Sequence, residues 1–301
     1  MCRVIGDFGT EHSYRKARER IIEHYGIEIA PSAIRGVTME VAEQCTEHLR
    51  KQYDQDYRKL PSEGKEVVIA QIDGSMVCVV EAGKREAKRP RVYREIRLAM
   101  AVAHEEVEPH YAATFESVQE IGRRWGHCAL LAGRGLDSKM HVIADGAPWI
   151  EIQNREVFGT GRSLLCDFYH VSEYLAQAAQ ICRPEKPKGW LKTQQKRLKR
   201  GALKEVMREL GKNIEGIEIP EEEAPVRSCH RYLNNRIDCL DYAQAKEQGL
   251  PIGSGLIESG HKHVLQARLK QPGMAWLVEN AEKMAQARVV KANGLWAAIW
   301  N

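Results

Sequence analysis

Leu250-Pro-Ile-Gly-Ser-Gly-Leu-Ile-Glu-Ser-Gly-His-Lys-His-Val-Leu-Gln-Ala-Arg-Leu-Lys270 is the stretch on which the reading of this 301-residue chain turns. Pro251, Gly253 and Gly255 form a turn signal. It opens onto a helical pattern with a single acid, Glu258. On a helix Glu258 shares a face with His261 (i, i+3) and Lys262 (i, i+4). Leu256, Val264, Leu265 and Leu269 can form the buried stripe of that helix. Taken alone, the segment is an amphipathic surface helix with an exposed carboxylate. Two earlier aspartates give that carboxylate possible partners.

The first lies in Val67-Val-Ile-Ala-Gln-Ile-Asp73-Gly-Ser-Met-Val-Cys-Val-Val80, which reads as two short β-rich runs with Asp73-Gly74-Ser75 between or within them. The second ends the short strand Lys139-Met-His-Val-Ile-Ala144 as Asp145-Gly146-Ala147, and Pro148 starts a helix there. Asp-Gly is commonly just a turn. A carboxylate on a hydrophobic strand must nevertheless be paired or bind a metal, because an unpaired buried charge is costly. An acid on a strand, an acid at a strand end and an acid on a helix can converge as three oxygen ligands. Such a set suits Mg²⁺ or Mn²⁺, which favour carboxylates and retain several waters. Two such ions roughly 3.5–4 Å apart serve phosphodiester chemistry.

Outward from these acids, Tyr93 to His104 reads as another strand and Thr114 to Trp125 as a helix. Ser163 to Cys166 reads as a strand running into Asp167-Phe-Tyr-His170 and a helix over 171–181. Strands first, then alternating helix and strand, indicate a mixed α/β sheet. Residues 184–249 are helical and charged without strand signals, and Trp276 to Asn293 is a closing helix ahead of an apolar tail. Near the start, Ser13 to Tyr25 and a segment after Pro31, capped by Ser32, read as two helices. The pair fits a helix-turn-helix or an ordinary helical hairpin. The polar stretch from Gln52 to Glu66 reads as a linker. The expected organisation is an N-terminal helical segment (1–60), a first core part (61–183), a helical insertion (184–249) and final core helices with Glu258 (250–301).

With 43% hydrophobic and 29% charged residues, the composition is that of an ordinary globular protein. No apolar run approaches the roughly 18–20 residues of a membrane helix, and no signal-like region follows Met1, so a cytosolic protein with no membrane partner is expected. The net charge of +4 is mild, but basic residues are clustered: Lys84, Arg85, Lys88, Arg89, Arg91, Arg94 and Arg97 in one run, Lys186 to Arg200 in another. Such runs suit phosphate backbones or a solvated face equally. The eight cysteines are scattered without a CxxC, which argues against a zinc ribbon or a disulfide scaffold.

Asp73-Gly-Ser, Asp145-Gly-Ala-Pro-Trp-Ile, Asp167-x-x-His170 and Gly253-Ser-Gly-Leu-Ile-Glu258-Ser together resemble the insertion-sequence DDE transposases of the ISKra type, in the Mutator-like group. The resemblance spans roughly residues 1–295. It implies an α/β, RNase H-like (retroviral-integrase-type) core interrupted by an all-helical insertion, preceded by a helix-turn-helix-like segment. It makes Asp73, Asp145 and Glu258 the metal-binding triad for Mg²⁺ or Mn²⁺, with two ions, and places Asp167 and His170 near the site as support. The implied reaction is cleavage of DNA by water, then attack of the freed 3′-hydroxyl on target DNA. Implied partners are the double-stranded transposon ends and target, held by a homodimer in the bacterial cytosol or nucleoid. Lys262, Arg268 and Lys270 follow Glu258 and are candidates for DNA phosphates. Arg91, in the basic run, and Trp190, in the helical insertion, are further DNA-binding candidates. Family members carry a longer N-terminal region with cysteine pairs, whereas only Cys2 stands at that end of this chain. A truncated copy is therefore one expectation. Two other readings compete with a transposase: a DNA-binding protein without catalysis, and an RNase H-fold nuclease that cleaves but never joins strands.

Overall fold

A computed structural model describes residues 1–80, 90–159 and 162–300. The basic residues Lys84, Arg85, Lys88 and Arg89 therefore lie outside the described residues. The chain begins with α1 (Cys2–Glu11), α2 (Tyr14–Tyr25) and α3 (Pro31–Tyr53). Three strands follow, β1 (Val67–Val80), β2 (Arg91–Ala103) and β3 (His110–Thr114), and then α4 (Val118–Leu131). Next come β4 (Lys139–Ala144), α5 (Pro148–Phe158), β5 (Arg162–Cys166) and α6 (Phe168–Cys182). The helical stretch comprises α7 (Pro187–Lys199), α8 (Leu203–Gly211), α9 (Pro225–Asn234) and α10 (Tyr242–Glu247). Helix α11 (Gly255–Gly260) passes through a π-helical segment (His261–Gln266) into α12 (Ala267–Leu269), and β6 (Trp276–Leu277) and α13 (Val278–Ala292) close the chain. The mixed α/β class expected from the sequence is observed. Two compact units divide the chain: Met1–Ser138 with Leu256–Asn301, and Lys139–Gly255.

In the first unit β1, β2 and β3 form an antiparallel meander, with Asp73 opposite Leu98 and Leu98 opposite Ala113. The apolar run from Val67 is one continuous 14-residue strand rather than two short ones. Asp73-Gly74 stays in the ladder because Gly74 pairs with Arg97 across the strand. Strand β6 pairs parallel to β1 at Val79 and Val80, so the closing helix starts two residues later than the sequence reading placed it. Strand β3 went unread in the sequence because its five residues carry only a weak pattern. Its alanines, with Ala99 and Ala101 of β2, are fully buried and offer a flat surface to α4 and α13. Trp125 of α4 is buried there and donates its indole N–H to the Met100 carbonyl at 3.1 Å.

The N-terminal helices belong to this unit. Ser13 caps α2 by accepting from the Lys16 N–H, and Gly26 ends it at φ 65°. Helix α3 starts with Pro31 at its first turn and Ala30 as the cap residue, not Ser32. Ile5, Ala17, Ile21 and Ile34 lock α1, α2 and α3 together, and α3 packs along α13. The stretch expected as a linker is fixed in place. Tyr57 is buried against His127, the Leu136 N–H donates to the Pro61 carbonyl at 3.0 Å, and the Lys65 N–H donates to Gly133 at 2.8 Å.

The second unit holds β4 and β5, a parallel pair joined through α5 with Ala144 opposite Cys166. This is a βαβ unit, the arrangement a parallel pair requires. The following helices bury a core of their own, including Phe168, Leu175, Leu198, Leu210, Val226 and Tyr242. As read from the sequence, residues 184–249 contain no strand among those described. No helix is long and apolar enough to cross a membrane.

Candidate functional site

In the first unit the site is built by laying the Glu258 helix along one face of β1. Side chains two apart on a strand share a face, so Gln71, Asp73 and Ser75 project together. Gln71 is fully buried, and its side-chain oxygen accepts the Ile257 N–H at 2.9 Å. That N–H belongs to the first turn of α11, where backbone donors lack intrahelical partners. The bond ties the residue before Glu258 to the strand two residues from Asp73. One turn further on, His261 Nε2 stands 3.5 Å from Asp73 Oδ2. Lys270 then donates to Ser75 Oγ at 2.6 Å.

Gly260 permits this approach. A Cβ at that position would stand 2.6 Å from the Tyr111 ring and 3.1 Å from the Leu98 side chain. Only a residue without a side chain brings the helix this close to β2 and β3.

Asp73 keeps one face of its carboxylate towards solvent, with its side chain 42% exposed, and Oδ1 accepts the Gly74 N–H at 2.7 Å. His261 is 3% exposed, with its ring against the Asp73 backbone. Burial pushes its pKa down to about 4, with the Asp73 backbone opposing and Lys270 adding to the fall. The ring is therefore neutral at neutral pH, and its approach to Asp73 is not an ion pair. Lys270 is also pushed below the usual lysine range by burial, with Asp73 pulling it back.

The π-helical segment shifts the faces expected after Glu258. Val264, Leu265 and Leu269 are buried as read, but Leu256 is exposed and Ile257 takes its place in the core. Glu258 and Lys262 face solvent. Arg268, expected to meet DNA, is instead fully buried. Its guanidinium lies 5.0 Å from the Tyr14 ring and 4.8 Å from the Trp276 ring and donates to the Gly9 carbonyl at 3.1 Å. Burial lowers its pKa, with Tyr14 opposing. The residue binds α1, α2 and the closing segment together, and no phosphate reaches it in this arrangement.

In the second unit Asp145 and Asp167 sit at matching ends of the parallel strands β4 and β5, where the Asp167 N–H donates to the Ala144 carbonyl at 2.7 Å. Asp145 Oδ1 accepts the Ala147 N–H at 2.8 Å, and its carbonyl accepts the Tyr232 hydroxyl at 2.6 Å. Gly146 turns the chain at φ 80°, and Arg236 donates twice to its carbonyl, at 2.7 and 3.0 Å. Tyr232 of α9 and Arg236 just beyond it thus hold the Asp-Gly turn by its backbone carbonyls.

Asp167 is the N-cap of α6: Oδ1 accepts the Tyr169 N–H at 2.8 Å and Oδ2 accepts the Ser254 hydroxyl at 2.5 Å. At 5% exposed it is a structural acid. The Phe168 N–H bonds the Ile252 carbonyl at 2.9 Å, and His141 Nε2 meets the Pro251 carbonyl at 2.8 Å. The Asp167-x-x-His170 and Gly253-Ser254 motifs therefore bind each other. His170 packs edge-on to Tyr174 and Tyr232, with Nδ1 3.4 Å from Glu173.

Of the acids singled out from the sequence, Asp73 and Glu258 fall in the first unit and Asp145 and Asp167 in the second. Neither unit groups three His, Cys, Asp or Glu side chains closely enough to hold a metal ion, among the described residues. The close pair at Asp73 is instead with His261, whose place on the Glu258 face the i, i+3 spacing had signalled. Gln71 was missed altogether, although its spacing of two from Asp73 on a strand puts both on one face. Arg91 is exposed. Trp190 is half-buried on α7, at the edge of a cleft of about 360 Å³ that Arg183, Lys186, Thr193, Gln194 and Arg197 also line. On α2 much of the positive charge is matched locally, with Arg15 near Glu19, Arg18 near Glu28 and Arg20 near Glu23.

The element order and these two sites define a mixed α/β protein with acids on a central strand, at a strand end and on a late helix. The chain belongs to the uncharacterised protein family UPF0236, which it matches over residues 10–299. No curated protein matches the sequence.

Proposed function

We propose that this chain is a DNA transposase with an RNase H-like core, cleaving DNA and joining the freed 3′-hydroxyl to a target with Asp73, Asp145 and Glu258 as its acidic residues. The observation that carries the reading is the bond from Gln71 to the Ile257 N–H, which seats the Glu258 helix on the strand face that bears Asp73. The element order supports it as well: an antiparallel meander, a helix, and a parallel pair with Asp145 at the end of its first strand. The resemblance of the Asp145 and Glu258 motifs to ISKra-type transposases supplies the reaction class.

A divalent cation is part of this reading, drawn from the resemblance, with the solvent-facing carboxylate of Asp73 as one residue that would hold it. Mg²⁺ and Mn²⁺ keep several waters and need only one or two carboxylates from the protein. When bound, such an ion activates an attacking oxygen and stabilises the leaving one. Of the chain's own residues, Tyr232 and Arg236 hold the Asp145 turn. Lys270 and Lys262 supply positive charge on the segment after Glu258. A homodimer holding two DNA ends is part of this reading, drawn from the resemblance.

The test is incubation of the purified chain with pre-nicked transposon-end DNA, a plasmid target and Mg²⁺ or Mn²⁺, beside Asp73→Asn, Asp145→Asn and Glu258→Gln. Joined products in the wild type that disappear in all three variants support the proposal. Nicking without joining assigns a nuclease instead. DNA binding with no metal-dependent product assigns a binding protein that has lost or never had catalysis.

A further inference from the structure

The cleft beside Trp190 lies wholly within the second unit. It runs along one face of α7, because Lys186, Trp190, Gln194 and Arg197 recur at the three- and four-residue spacing that shares a helix face. Arg183, at the end of α6, and Glu209 of α8 line it from beyond that helix. Its volume of about 360 Å³ falls within the roughly 300–1,000 Å³ of small-ligand sites.

The charges of the lining are unequally committed. Gln194 is 2% exposed, and its side-chain oxygen accepts from the Arg197 guanidinium at 3.0 Å. Arg197 also meets Glu205 at 3.0 Å, so its charge is matched within the protein. The carboxylate of Glu209 is taken by Lys212 at 2.7 Å. Arg183 meets Glu185 only as a solvent-exposed pair, which contributes little and yields readily to a second anion. Lys186 is exposed and has no acid partner among the described residues. Gly189 lets its stem lie close against α7, since a Cβ there would stand 3.1 Å from Lys186 Cγ and Cε. Trp190 is half-buried, packed against the core of the unit while still lining the cleft. An indole held in this way, beside one free and one weakly paired cation, offers a stacking surface next to a place for an anion. Nucleobases stack on aromatic side chains whatever their identity, and Lys and Arg take the phosphate.

We infer that this cleft binds a nucleotide, with its base stacked on Trp190 and its phosphate held by Lys186 and Arg183. A free nucleoside phosphate and a nucleotide turned out of a DNA strand share this chemistry. The site goes beyond the proposed reaction: it needs neither the acidic residues nor a metal ion.

The experiment uses the full chain without divalent metal at low salt, titrated with deoxyadenosine, its 5′-monophosphate, a short oligodeoxyadenylate and an abasic strand of the same length. The abasic strand should bind about tenfold or more weakly than the oligodeoxyadenylate. Trp190→Leu keeps apolar packing against the core but removes the stacking ring. It should lose about tenfold on the base-bearing strand and nothing on the abasic one, with Trp190→Phe recovering part of the loss. Lys186→Ala should weaken the monophosphate several-fold and leave deoxyadenosine unchanged. Lys192, exposed on α7 outside the lining, is the control, and Lys192→Ala should not change the ratio between base-bearing and abasic strands. Binding of the monophosphate alone identifies a free nucleotide as the ligand, and binding of the strand alone a turned-out nucleotide; either, if dependent on Trp190, supports the site. Equal affinity for the base-bearing and abasic strands with no binding of the monophosphate overturns it. So does wild-type affinity in Trp190→Leu, or a loss in that variant accompanied by a lowered urea midpoint and not recovered by Trp190→Phe. Strand transfer that fails while Trp190-dependent binding persists counts against the proposed reaction and not against this site.

Discussion

Gly260 gives the sharpest test of how the Glu258 helix is seated. Replacing glycine by alanine inside a helix ordinarily stabilises by about 1 kcal/mol, because glycine loses more backbone freedom on folding. At Gly260 that gain meets a steric cost, since the new Cβ would lie 2.6 Å from Tyr111 Cε1 and 3.1 Å from Leu98 Cδ2. The Tyr111 backbone is held in place. Its N–H donates to the Asn293 side chain at 2.8 Å, and its carbonyl accepts from the same amide at 2.9 Å. Overpacking of this kind costs typically about 1–3 kcal/mol, so Gly260→Ala should destabilise by roughly 0–2 kcal/mol net. Gly36 in α3 is the control, because a Cβ there meets nothing within 4 Å. Gly36→Ala should stabilise by about 0.5–1 kcal/mol. Urea unfolding of the two variants and wild type, read as shifts in midpoint at constant slope, separates the effects. If Gly260→Ala proves as stabilising as Gly36→Ala, the close approach of the helix to β2 and β3 is wrong, and the seating of Glu258 on β1 falls with it.

Gln71→Leu removes the acceptor for the Ile257 N–H in a buried setting and should cost about 1–3 kcal/mol, with faster hydrogen exchange at the Ile257 amide; an unchanged exchange rate would refute the bond. Arg268→Ala should destabilise by about 2 kcal/mol or more, through two buried ring contacts and the bond to Gly9, and leave the salt dependence of DNA binding unchanged. Lys262→Ala and Lys270→Ala should each lower that salt slope by about 1 if the segment after Glu258 contacts phosphates; slopes equal to wild type would remove them from the interface. His127 is buried beside Tyr53 and Tyr57, and burial lowers its pKa, with Arg123 adding to the fall. The unfolded chain therefore takes up a proton first as pH drops, so this contribution to stability is full above about 6.5 and declines below it. The loss of urea midpoint between pH 7 and pH 5 should be smaller in His127→Phe than in wild type, and an equal loss would show that the ring is not buried neutral.

Much of this architecture is legible in the sequence because it depends on short-range pattern. The apolar runs around Asp73 and before Asp145 are strands because alternating and β-branched residues fill pleated, half-buried surfaces. Ser13 and Gly26 bracket α2 through capping chemistry that acts over three or four residues. The strand-free character of residues 184–249 follows from helical spacing in the same way. Strand β3 and the two-residue β6 escaped because such short segments carry little pattern of their own and exist through pairing with β2 and β1.

What only the tertiary structure decided is which side chains meet. The sequence by itself determined that Asp73 lies in a β-rich stretch, that Asp145 ends a strand and that Glu258 rides a helix with His261 on its face. It did not determine that Arg268 is core, because a basic residue on a helix reads as solvated until Tyr14 and Trp276, remote in the chain, close around it. Nor did it show that Gln71 holds the Glu258 helix, or that Asp167 is occupied by Ser254 and its own helix cap. These are contacts between residues far apart in sequence. Period and propensity report only a residue's near neighbours, whereas burial and hydrogen-bond pairing are fixed when distant segments exclude water together.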